Sequence, residues 1–502
     1  MILAPGFEGR RIAVFGLGRS GLTAARALKA GGALPVLWDD SVSSRMQAEA
    51  EGFAVEDLTV ADWSGLAALV LSPGAPLTHP TPHWTVDKAH EAGIEIIGDI
   101  ELFARAMAAL PEGQRPRVVA ITGTNGKSTT TALIGWVLKQ AGLTVHVGGN
   151  IGMGVLALPE PTPDAVYVIE VSSYQLDLTT TFAPDVAILT NISPDHLDRH
   201  GGMEGYIAAK ARLFAAQRAD GVALVGVDET WGCGVAGHLA SLGRLGTVIS
   251  TSAHPGESRD PALSSLTPAR QDKRSEPNSS TDHPKNWVPA FAGMSGRIEA
   301  HGGWLSVDGE RLADLSPARS LPGRHNAQNA AFAYACARAL GVSHDTTVEG
   351  LLSFPGLAHR METVGTLGRV RFVNDSKATN ADAARQALTS YDRSFWIAGG
   401  RAKQGGIDDL EELFPRVVEA FLIGEAAGPF AARLGDTPHR ISGDMATAVQ
   451  QAYAAAAATG RDEVVLLSPA AASFDQYPDF EVRGEAFRAA VLALGATPMA
   501  PS

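Results

Sequence analysis

The stretch that most constrains the fold is VVAITGTNGKSTTTALIGWVL, which runs from Val118 to Leu138. A β-branched run leads into a glycine-punctuated turn, and an apolar-periodic segment follows a group of hydroxyl residues. This order predicts a strand, a loop and a helix that begins near Lys127. Backbone N–H groups of such a loop, a helix N-terminus and a lysine together suit a polyphosphate and its Mg²⁺. A capped helix after an ordinary turn is the alternative interpretation.

The spacing of this loop departs from the common phosphate-binding pattern, which has four residues between its first glycine and the Gly-Lys pair. Ile121 stands where that first glycine would be, and Gly123 and Gly126 are separated only by Thr124 and Asn125. The physical requirements are nonetheless met, because the glycines, the lysine and the hydroxyls come in the required order.

Length and composition restrict the class of protein. A chain of 502 residues predicts about three domains. No apolar run approaches the roughly 20 residues of a membrane helix, and no secretion signal is recognisable, so we expect a cytoplasmic protein without a membrane partner. Cys233 and Cys336 lack metal-ligand spacing. A formal net charge of −13 argues against a nucleic-acid partner.

Strand-like and helical segments alternate along most of the chain, which predicts an α/β protein with parallel sheets. Three α/β domains are expected: a Rossmann-like domain over residues 1–106, a central domain with the Lys127 loop over 107–356 and a second Rossmann-like domain over 357–502. Residues 251–296 are rich in Pro, Ser and charge. This composition favours an insertion in a surface loop, without a packed core of its own.

A second glycine motif lies near the N-terminus. Gly16, Gly18 and Gly21 have G-x-G-x-x-G spacing between a predicted strand and helix, and Asp39 ends the next strand. This is a dinucleotide-binding fingerprint, but any nucleotide diphosphate would satisfy the same tight turn and helix N-terminus. A glycine turn needed only for helix–sheet packing is a further possibility.

Polar residues follow the strands of the central segment. Glu170 ends one predicted strand, and Asp195 and His196 follow another. Carboxyl ends of parallel strands meet at one sheet edge, so these groups are expected near the Lys127 loop, where Glu170 suits Mg²⁺. Asn150 lies on a glycine-rich turn, where its side chain can equally well contact a ligand or fix the loop conformation. Lys210, taken alone, has the pattern of a solvated helix charge.

Several motifs together resemble those of a known protein family. GTNGKST, EVSSYQL and NISPDHLDRH, with the lysine on the following helix, resemble the Mur ligases. LPGRHNAQNAAFA, GLAHRME, NDSKATN, GGRAK and SPAAASFDQYPDFEVRG are similar to the family members that add D-glutamate. The resemblance covers nearly the whole chain except the insertion. It implies an ADP-forming ligase for cytoplasmic peptidoglycan precursor synthesis, which joins D-glutamate to UDP-N-acetylmuramoyl-L-alanine through an acyl phosphate, and it favours a monomer.

The resemblance also implies roles for single residues, including catalytic roles for Lys127, His196 and Lys210. The implied ATP contacts are Gly123, Thr124, Asn125, Gly126, Lys127, Ser128, Thr129, Asn329, Arg360 and Asp375. Two Mg²⁺ sites are expected, with Lys210 carbamylated; their implied ligands are Ser128, Thr129, Glu170, His196 and Lys210. The implied contacts of the UDP substrate are Gly18, Arg19, Ser20, Asp39, Ser72, Gly74 and Asn150, and those of D-glutamate are Lys377, Thr379, Lys403, Ser473 and Phe480.

The sequence departs from the family pattern at Asp40 and at residues 404–406, which puts the detailed contacts there in question. Three other hypotheses stay open at this point. A sibling ligase would share the central loop but lack either the N-terminal UDP loop in this form or the C-terminal pocket motif. An NAD-dependent oxidoreductase would use Gly16, Gly18 and Gly21 but leave the Lys127 loop without a purpose. A non-catalytic nucleotide-binding module would not need Glu170 or Lys210.

Overall fold

The structure is a computed structural model that describes residues 1–251, 296–301, 303–318, 320–321, 323–403 and 405–499. The insertion expected over 251–296 lies almost entirely outside these residues, as does Gln404. The chain divides into two compact units, Met1–Pro317 with Ala327–Leu352, and Ala318–Asn326 with Ser353–Ser502. Both units are α/β, as predicted. The boundaries expected for three domains stay a prediction.

A parallel sheet of five described strands forms the N-terminal part of the first unit, in the order β3-β2-β1-β4-β5. Its strands are β1 (Arg11–Phe15), β2 (Leu34–Trp38), β3 (Ala54–Val55), β4 (Leu66–Leu71) and β5 (Glu95–Ile97). Its helices are α1 (Arg19–Ala30), α2 (Val42–Ala50), α3 (Trp84–Glu91) and α4 (Asp99–Ala109). The motif of Gly16, Gly18 and Gly21 therefore connects β1 to α1, as its spacing predicts.

The second sheet of the first unit has nine described strands, in the order β14-β13-β12-β11-β10-β9-β6-β8-β7. They are β6 (Arg117–Thr122), β7 (Thr144–Gly149), β8 (Ala165–Glu170), β9 (Val186–Leu189), β10 (Val222–Gly226), β11 (Thr247–Ser250), β12 (Gly296–His301), β13 (Trp304–Val307) and β14 (Glu310–Asp314). The accompanying helices are α5 (Lys127–Gln140), α6 (Ser173–Leu176), α7 (Leu197–His200), α8 (Met203–Ala215), α9 (Thr230–Ser241), α10 (Gly323–Ala339) and α11 (His344–Leu352).

The pairing in this sheet places the predicted site. Strands β9, β6, β8 and β7 are neighbours and all parallel, so their carboxyl ends lie along one edge. Every residue of β8 is buried, as expected for a parallel strand covered on both faces. After the insertion the chain forms a β-meander of the antiparallel strands β12, β13 and β14, and β12 also pairs in parallel with β11.

The second unit contains a sheet of seven described strands in the order β19-β18-β17-β20-β16-β15-β21. They are β15 (Glu362–Leu367), β16 (Val370–Asn374), β17 (Ser394–Gly399), β18 (Val417–Ile423), β19 (His439–Gly443), β20 (Glu463–Leu467) and β21 (Thr497–Pro498). Its helices are α12 (Ala381–Thr389), α13 (Ala427–Leu434), α14 (Met445–Ala458) and α15 (Phe480–Ala493). Within the described part of this sheet, the antiparallel pairs are β15 with β16 and β15 with β21.

The cores follow this division. One cluster of buried side chains joins both sheets of the first unit, where the ring of Phe103 on α4 lies 5.6 Å from that of Tyr167 on β8. Two clusters cover the opposite faces of the sheet in the second unit. None of the helices in the described ranges is long and apolar enough to cross a membrane.

Candidate active site

The glycine loop after β6 has a conformation that needs glycine at two positions. Gly123 has φ +146° and Gly126, the N-cap of α5, has φ +79°. A Cβ at Gly123 would overlap the hydroxyl of Thr190, and one at Gly126 would lie 2.6 Å from the Oδ1 atom of Asn329. The loop is thus packed tightly against β9 and α10, and Asn329, predicted to contact ATP, lies beside it.

Hydrogen bonds fix the same loop from the end of β9. The Thr124 amide donates to the Asn191 carbonyl (2.9 Å), and the Asn125 amide donates to the Asn191 side chain (2.8 Å). The Thr190 hydroxyl donates to the Asn125 carbonyl (2.7 Å). Protein contacts therefore already hold the loop in one conformation. An anion can then bind without the free-energy cost of ordering the loop.

Two lysines converge on one loop carbonyl. Lys127 Nζ donates to the carbonyls of Gly123 (3.0 Å) and Thr124 (2.7 Å), and Lys210 Nζ donates to the same Gly123 oxygen (2.7 Å). Lys210 is only 1% exposed, and its Nζ lies 4.5 Å from the centre of the Tyr206 ring. The interpretation of Lys210 as a solvated helix charge, drawn from the residues alone, is wrong because α8 turns this position into the interior.

Burial and charge act together on Lys210. Burial lowers the pKa of Lys210 well below its usual value, and the positive charge of Lys127 lowers it further. The carboxylates of Asp195 and Glu170 oppose this shift in the pKa of Lys210 with smaller effects. Both effects act toward the neutral amine, which matters for any chemistry that needs the nitrogen lone pair.

The acidic and imidazole groups lie at the same edge. Glu170 ends β8 in a fully buried position, and its Oε1 atom accepts a hydrogen bond from the Asn150 side chain (2.9 Å). His196 has φ +54°, and its Nε2 atom lies 3.4 Å from Asp195 Oδ2. The ring of Tyr174 is 4.9 Å from that of His196.

These residues surround a cleft of about 420 Å³ within the first unit. The lining residues are Arg19, Ser20, Ser72, Pro73, Gly74, Lys127, Gly149, Asn150, Ser172, Ser173, Tyr174, Gln175, Asp195, His196, Tyr206 and Lys210. The cleft gathers the three residues expected to be catalytic and five of those expected to contact the UDP substrate. Gly18, Asp39, Glu170, Ser128 and Thr129 are not among its lining residues.

Sequence reasoning gave no role to five polar or aromatic side chains of this lining, namely Ser172, Ser173, Tyr174, Gln175 and Tyr206. The signal was present for the first four, since they lie just after β8, whose carboxyl end faces the site. Tyr206 carries no such signal, because it precedes Lys210 by one helical turn and only the tertiary fold turns both inward.

The N-terminal glycine turn is held by Asp39. One carboxylate oxygen accepts from the Leu17 amide (2.6 Å) and the other from the Ser41 amide (2.7 Å). A Cβ at Gly16, where φ is +87°, would overlap the Ser72 side chain. Asp39 therefore supports the backbone of the turn, and contact between Asp39 and a ligand stays a prediction.

In the second unit, several predicted residues lie around the ends of β16 and β20. Lys377 Nζ lies 3.8 Å from the centre of the Phe480 ring, and both were expected to contact D-glutamate. Asp375 accepts a hydrogen bond from the Ser468 hydroxyl (3.0 Å). Burial raises the pKa of Asp375 to about 7, against the opposing effects of that bond and of the Arg360 charge.

The other three residues expected at the D-glutamate pocket belong to the same unit. The Thr379 amide donates to the Lys377 carbonyl (2.8 Å). Ser473 is buried, whereas Lys403 is exposed, and its carbonyl accepts from the Gly406 amide (3.0 Å). The predicted pocket therefore combines buried and exposed positions.

Comparison with known proteins identifies relatives along the whole chain. The family described as the Mur ligase middle domain matches residues 121–262, and the Mur ligase glutamate ligase domain matches residues 359–471. A UDP-N-acetylmuramoylalanine–D-glutamate ligase of Caulobacter vibrioides (strain NA1000 / CB15N) is 56% identical over 500 residues, covering 99% of this chain and 98% of that protein. The enzyme of the same name from Nitrobacter winogradskyi is 48% identical, covering 99% and 100%.

Solved structures agree in fold. A UDP-N-acetylmuramate-alanine ligase of Thermotoga maritima aligns with a TM-score of 0.56 at 14% identity, covering 97% of this chain and 99% of that one. A pseudomurein peptide ligase type C of Methanothermus fervidus aligns with a TM-score of 0.53 at 17% identity, covering 97% and 100%. With relatives above half identity over almost its full length, this chain belongs to the Mur ligase family.

Proposed function

We propose that this protein joins D-glutamate to UDP-N-acetylmuramoyl-L-alanine with hydrolysis of ATP to ADP and phosphate. The observation that carries the proposal is the cleft in which Lys127 and Lys210 converge on the glycine loop, in a chain whose curated relatives bear the name of that ligase. The reaction belongs to cytoplasmic peptidoglycan precursor synthesis, and the protein acts in it as a monomer without nucleic-acid or membrane partners.

Phosphate release tests this proposal directly. Purified protein with ATP, Mg²⁺ and UDP-N-acetylmuramoyl-L-alanine should release phosphate when D-glutamate is added, and little with L-alanine, L-glutamate or a diamino acid. Turnover with a different amino acid would indicate a sibling ligase. Tight binding of NAD, with no phosphate release, would restore the oxidoreductase hypothesis.

Phosphoryl transfer from ATP to the alanine carboxylate gives an acyl phosphate, which the amine of D-glutamate then attacks. Catalysis of such steps is largely a matter of positioning and of placing positive charge where negative charge develops. Loop amides of residues 123–126 and the N-terminus of α5 would hold the phosphates, and Lys127 would turn from the loop carbonyls to the terminal phosphoryl oxygens. Asn329, Arg360 and Asp375 would complete the ATP contacts.

The donor set at the carboxyl ends of the strands fits Mg²⁺, which prefers hard oxygen ligands and keeps several of its waters. No three His, Cys, Asp or Glu side chains within the described ranges are grouped to hold a metal by themselves, so phosphate oxygens and hydroxyls must contribute. Ser128 or Thr129 with Glu170 would hold one ion, and His196 with carbamylated Lys210 a second. When bound, Mg²⁺ supplies charge that stabilises the transferring phosphoryl group.

The UDP end of the substrate would occupy the turn between β1 and α1, together with Arg19, Ser20, Ser72, Gly74 and Asn150. We expect Asp39→Ala to raise the KM for UDP-N-acetylmuramoyl-L-alanine by about tenfold or more, because the Leu17 and Ser41 amides lose their acceptor and the turn loses its shape. Steady-state kinetics with each substrate varied in turn measures this. The KM for ATP should change little, and equal increases in both would contradict the assignment.

D-glutamate carries two carboxylates and needs a cation outside the phosphate site. We propose Lys377, Thr379, Lys403, Ser473 and Phe480 for this pocket. Lys403→Ala should raise the KM for D-glutamate by about tenfold, since one charge-assisted contact is worth roughly 1.5–3 kcal/mol. Lys139→Ala, an exposed lysine at the end of α5, is the matched control. Equal losses of affinity for D-glutamate and ATP would remove Lys403 from the pocket.

A further inference from the structure

A hydrogen-bonded chain of three side chains lies at the wall of the cleft, and none of them has a role in the function proposed above. The Oγ atom of Ser173 is 3.0 Å from His200 Nε2. The Nδ1 atom of the same ring is 3.1 Å from Asp177 Oδ2. Ser173 and Asp177 lie at the two ends of the short helix α6, and His200 reaches them from the end of α7.

The partners determine which nitrogen of His200 carries the proton. A carboxylate only accepts hydrogen bonds, so Nδ1 donates to Asp177 and Nε2 is left as the acceptor. Ser173 therefore donates its hydroxyl proton to Nε2, and the remaining lone pairs of Oγ are available to a group in the cleft that Ser173 lines. This is the order of hydroxyl, imidazole and orienting carboxylate that allows a serine to exchange protons with a substrate.

Aromatic rings hold this imidazole in place. The side chain of His200 is 2% exposed. The ring of Tyr174 stacks on it at 5.4 Å with an interplanar angle of 18°, and the ring of Tyr206 lies 5.4 Å away. Ring rotation and access of water are both restricted, so the chain of bonds has a fixed direction.

The same two tyrosines connect His200 to the proposed catalytic residues. Tyr174 also contacts the ring of His196 at 4.9 Å, and the Tyr206 ring lies 4.5 Å from Lys210 Nζ. Charged groups also face this cluster: the Arg199 guanidinium lies 4.5 Å from the centre of the Tyr174 ring, and Arg212 Nε donates to the Leu176 carbonyl at the end of α6 (2.9 Å). Ser173 and His200 are thus one aromatic ring away from the reacting end of the cleft.

We propose that Ser173, His200 and Asp177 form a proton relay that deprotonates the amine of D-glutamate; this proposal rests on the ligase function proposed above. The amine arrives as an ammonium group without a lone pair, so it must lose a proton before it can attack. Ser173 is the catalytic residue of the relay, because it is the member that lines the cleft and would contact the nitrogen. His200 and Asp177 act through Ser173 as positioning residues.

The transfers balance as follows. One ammonium proton passes to Ser173 Oγ while the Ser173 proton passes to His200 Nε2, and Asp177 neutralises the resulting imidazolium. The nitrogen lone pair then forms the C–N bond with the acyl carbon. The C–O bond to phosphate breaks, and the phosphate leaves with that electron pair and takes up the second nitrogen proton, giving the amide and hydrogen phosphate. His200 returns its proton through Ser173 to water in the cleft before the next turnover.

Replacing D-glutamate by hydroxylamine as the attacking amine separates the proton relay from the other steps of the reaction. Hydroxylamine is a weak base that is largely unprotonated at neutral pH, so it attacks an acyl phosphate without a proton acceptor and forms a hydroxamate. Ser173→Ala should lower ligation of D-glutamate by about 10²-fold or more, the usual value of a general base, with most of the loss in kcat. ATP-dependent formation of hydroxamate by the same variant should stay close to the wild-type rate.

Two further variants separate the relay from the structure of α6. Asp177→Asn favours the other imidazole tautomer and should reproduce the selective loss of ligation. Ser172→Ala removes the cap of the same helix but leaves the three relay residues, so it should not change the ratio of ligation to hydroxamate formation. Equal loss of both reactions in Ser173→Ala, or no loss of either, would overturn the relay. Absence of ATP-dependent hydroxamate in the wild type would instead overturn the acyl phosphate and with it the proposed function.

Discussion

Lys210→Ala should lower kcat on the order of 10³-fold, the scale at which loss of a single charge-stabilising group acts. We propose that Lys210 works as a carbamate, which requires a neutral amine that reacts with CO₂. Burial and the nearby Lys127 charge lower the pKa of Lys210 and so favour that amine. The carbamate is anionic and presents hard oxygens, which suit Mg²⁺. Lys210→Arg keeps a positive charge but cannot form a carbamate, so it should lose nearly as much activity.

Rescue and depletion distinguish the carbamate from an ordinary ammonium. Formate or acetate should partly restore Lys210→Ala, because either supplies a carboxylate at the vacated position. Removal of CO₂ should lower wild-type activity, and bicarbonate should restore it. Lys139→Ala removes an exposed lysine and keeps Lys210, so it should respond to CO₂ removal and bicarbonate as the wild type does and gain nothing from formate or acetate. An unmodified Lys210 in the active Mg²⁺-loaded protein, found by mass measurement or crystallography, would contradict the carbamate.

The sequence predicted the architecture around the Lys127 loop because the signals there are local. A β-branched run, glycines with positive φ and a helix of hydroxyl and apolar residues occur within about twenty positions, and each imposes a separate constraint. The burial of Lys210 was not predictable in the same way. Helical periodicity cannot reveal that this lysine reaches the Gly123 carbonyl, which lies 87 residues away in the chain.

The same limit explains why the Ser173–His200–Asp177 chain was overlooked. EVSSYQL and NISPDHLDRH were both recognised as motifs, but the hydrogen bond from Ser173 to His200 spans 27 residues and depends on how α6 and α7 pack. Comparison of motifs assigns each residue separately, whereas a relay is defined by the distances between side chains that the fold brings together. The short strand β21 was missed for a related reason, since two residues carry no detectable period.

Arg483 is a buried cation to which the sequence analysis gave no role. Its side chain is 1% exposed within the second unit. Nε donates to the Ser376 hydroxyl (3.0 Å), and one terminal nitrogen donates to the Ser376 carbonyl (2.8 Å). The other terminal nitrogen donates to the Ala471 carbonyl (2.9 Å) and, at a longer distance, to the Gly399 carbonyl (3.5 Å). The guanidinium therefore fastens three loops, which carry the Lys377, Lys403 and Ser473 motifs, to the start of α15.

Arg483→Met should lower the free energy of unfolding of the second unit by about 3–5 kcal/mol, because the substitution leaves several buried carbonyls and a hydroxyl without a donor. Burial already lowers the pKa of Arg483 to about 10, which shows how costly the charged group is in this position and how much it depends on its acceptors. Urea unfolding measures the loss, and amide hydrogen exchange should locate it in peptides containing Ser376, Gly399 and Ala471.

Arg369→Met is the control: it removes an exposed ion pair with Asp462 in the same unit and should cost no more than about 1 kcal/mol. If both variants unfold at the same urea concentration as the wild type, the three loops do not depend on Arg483, and the D-glutamate motifs must be positioned by the sheet alone.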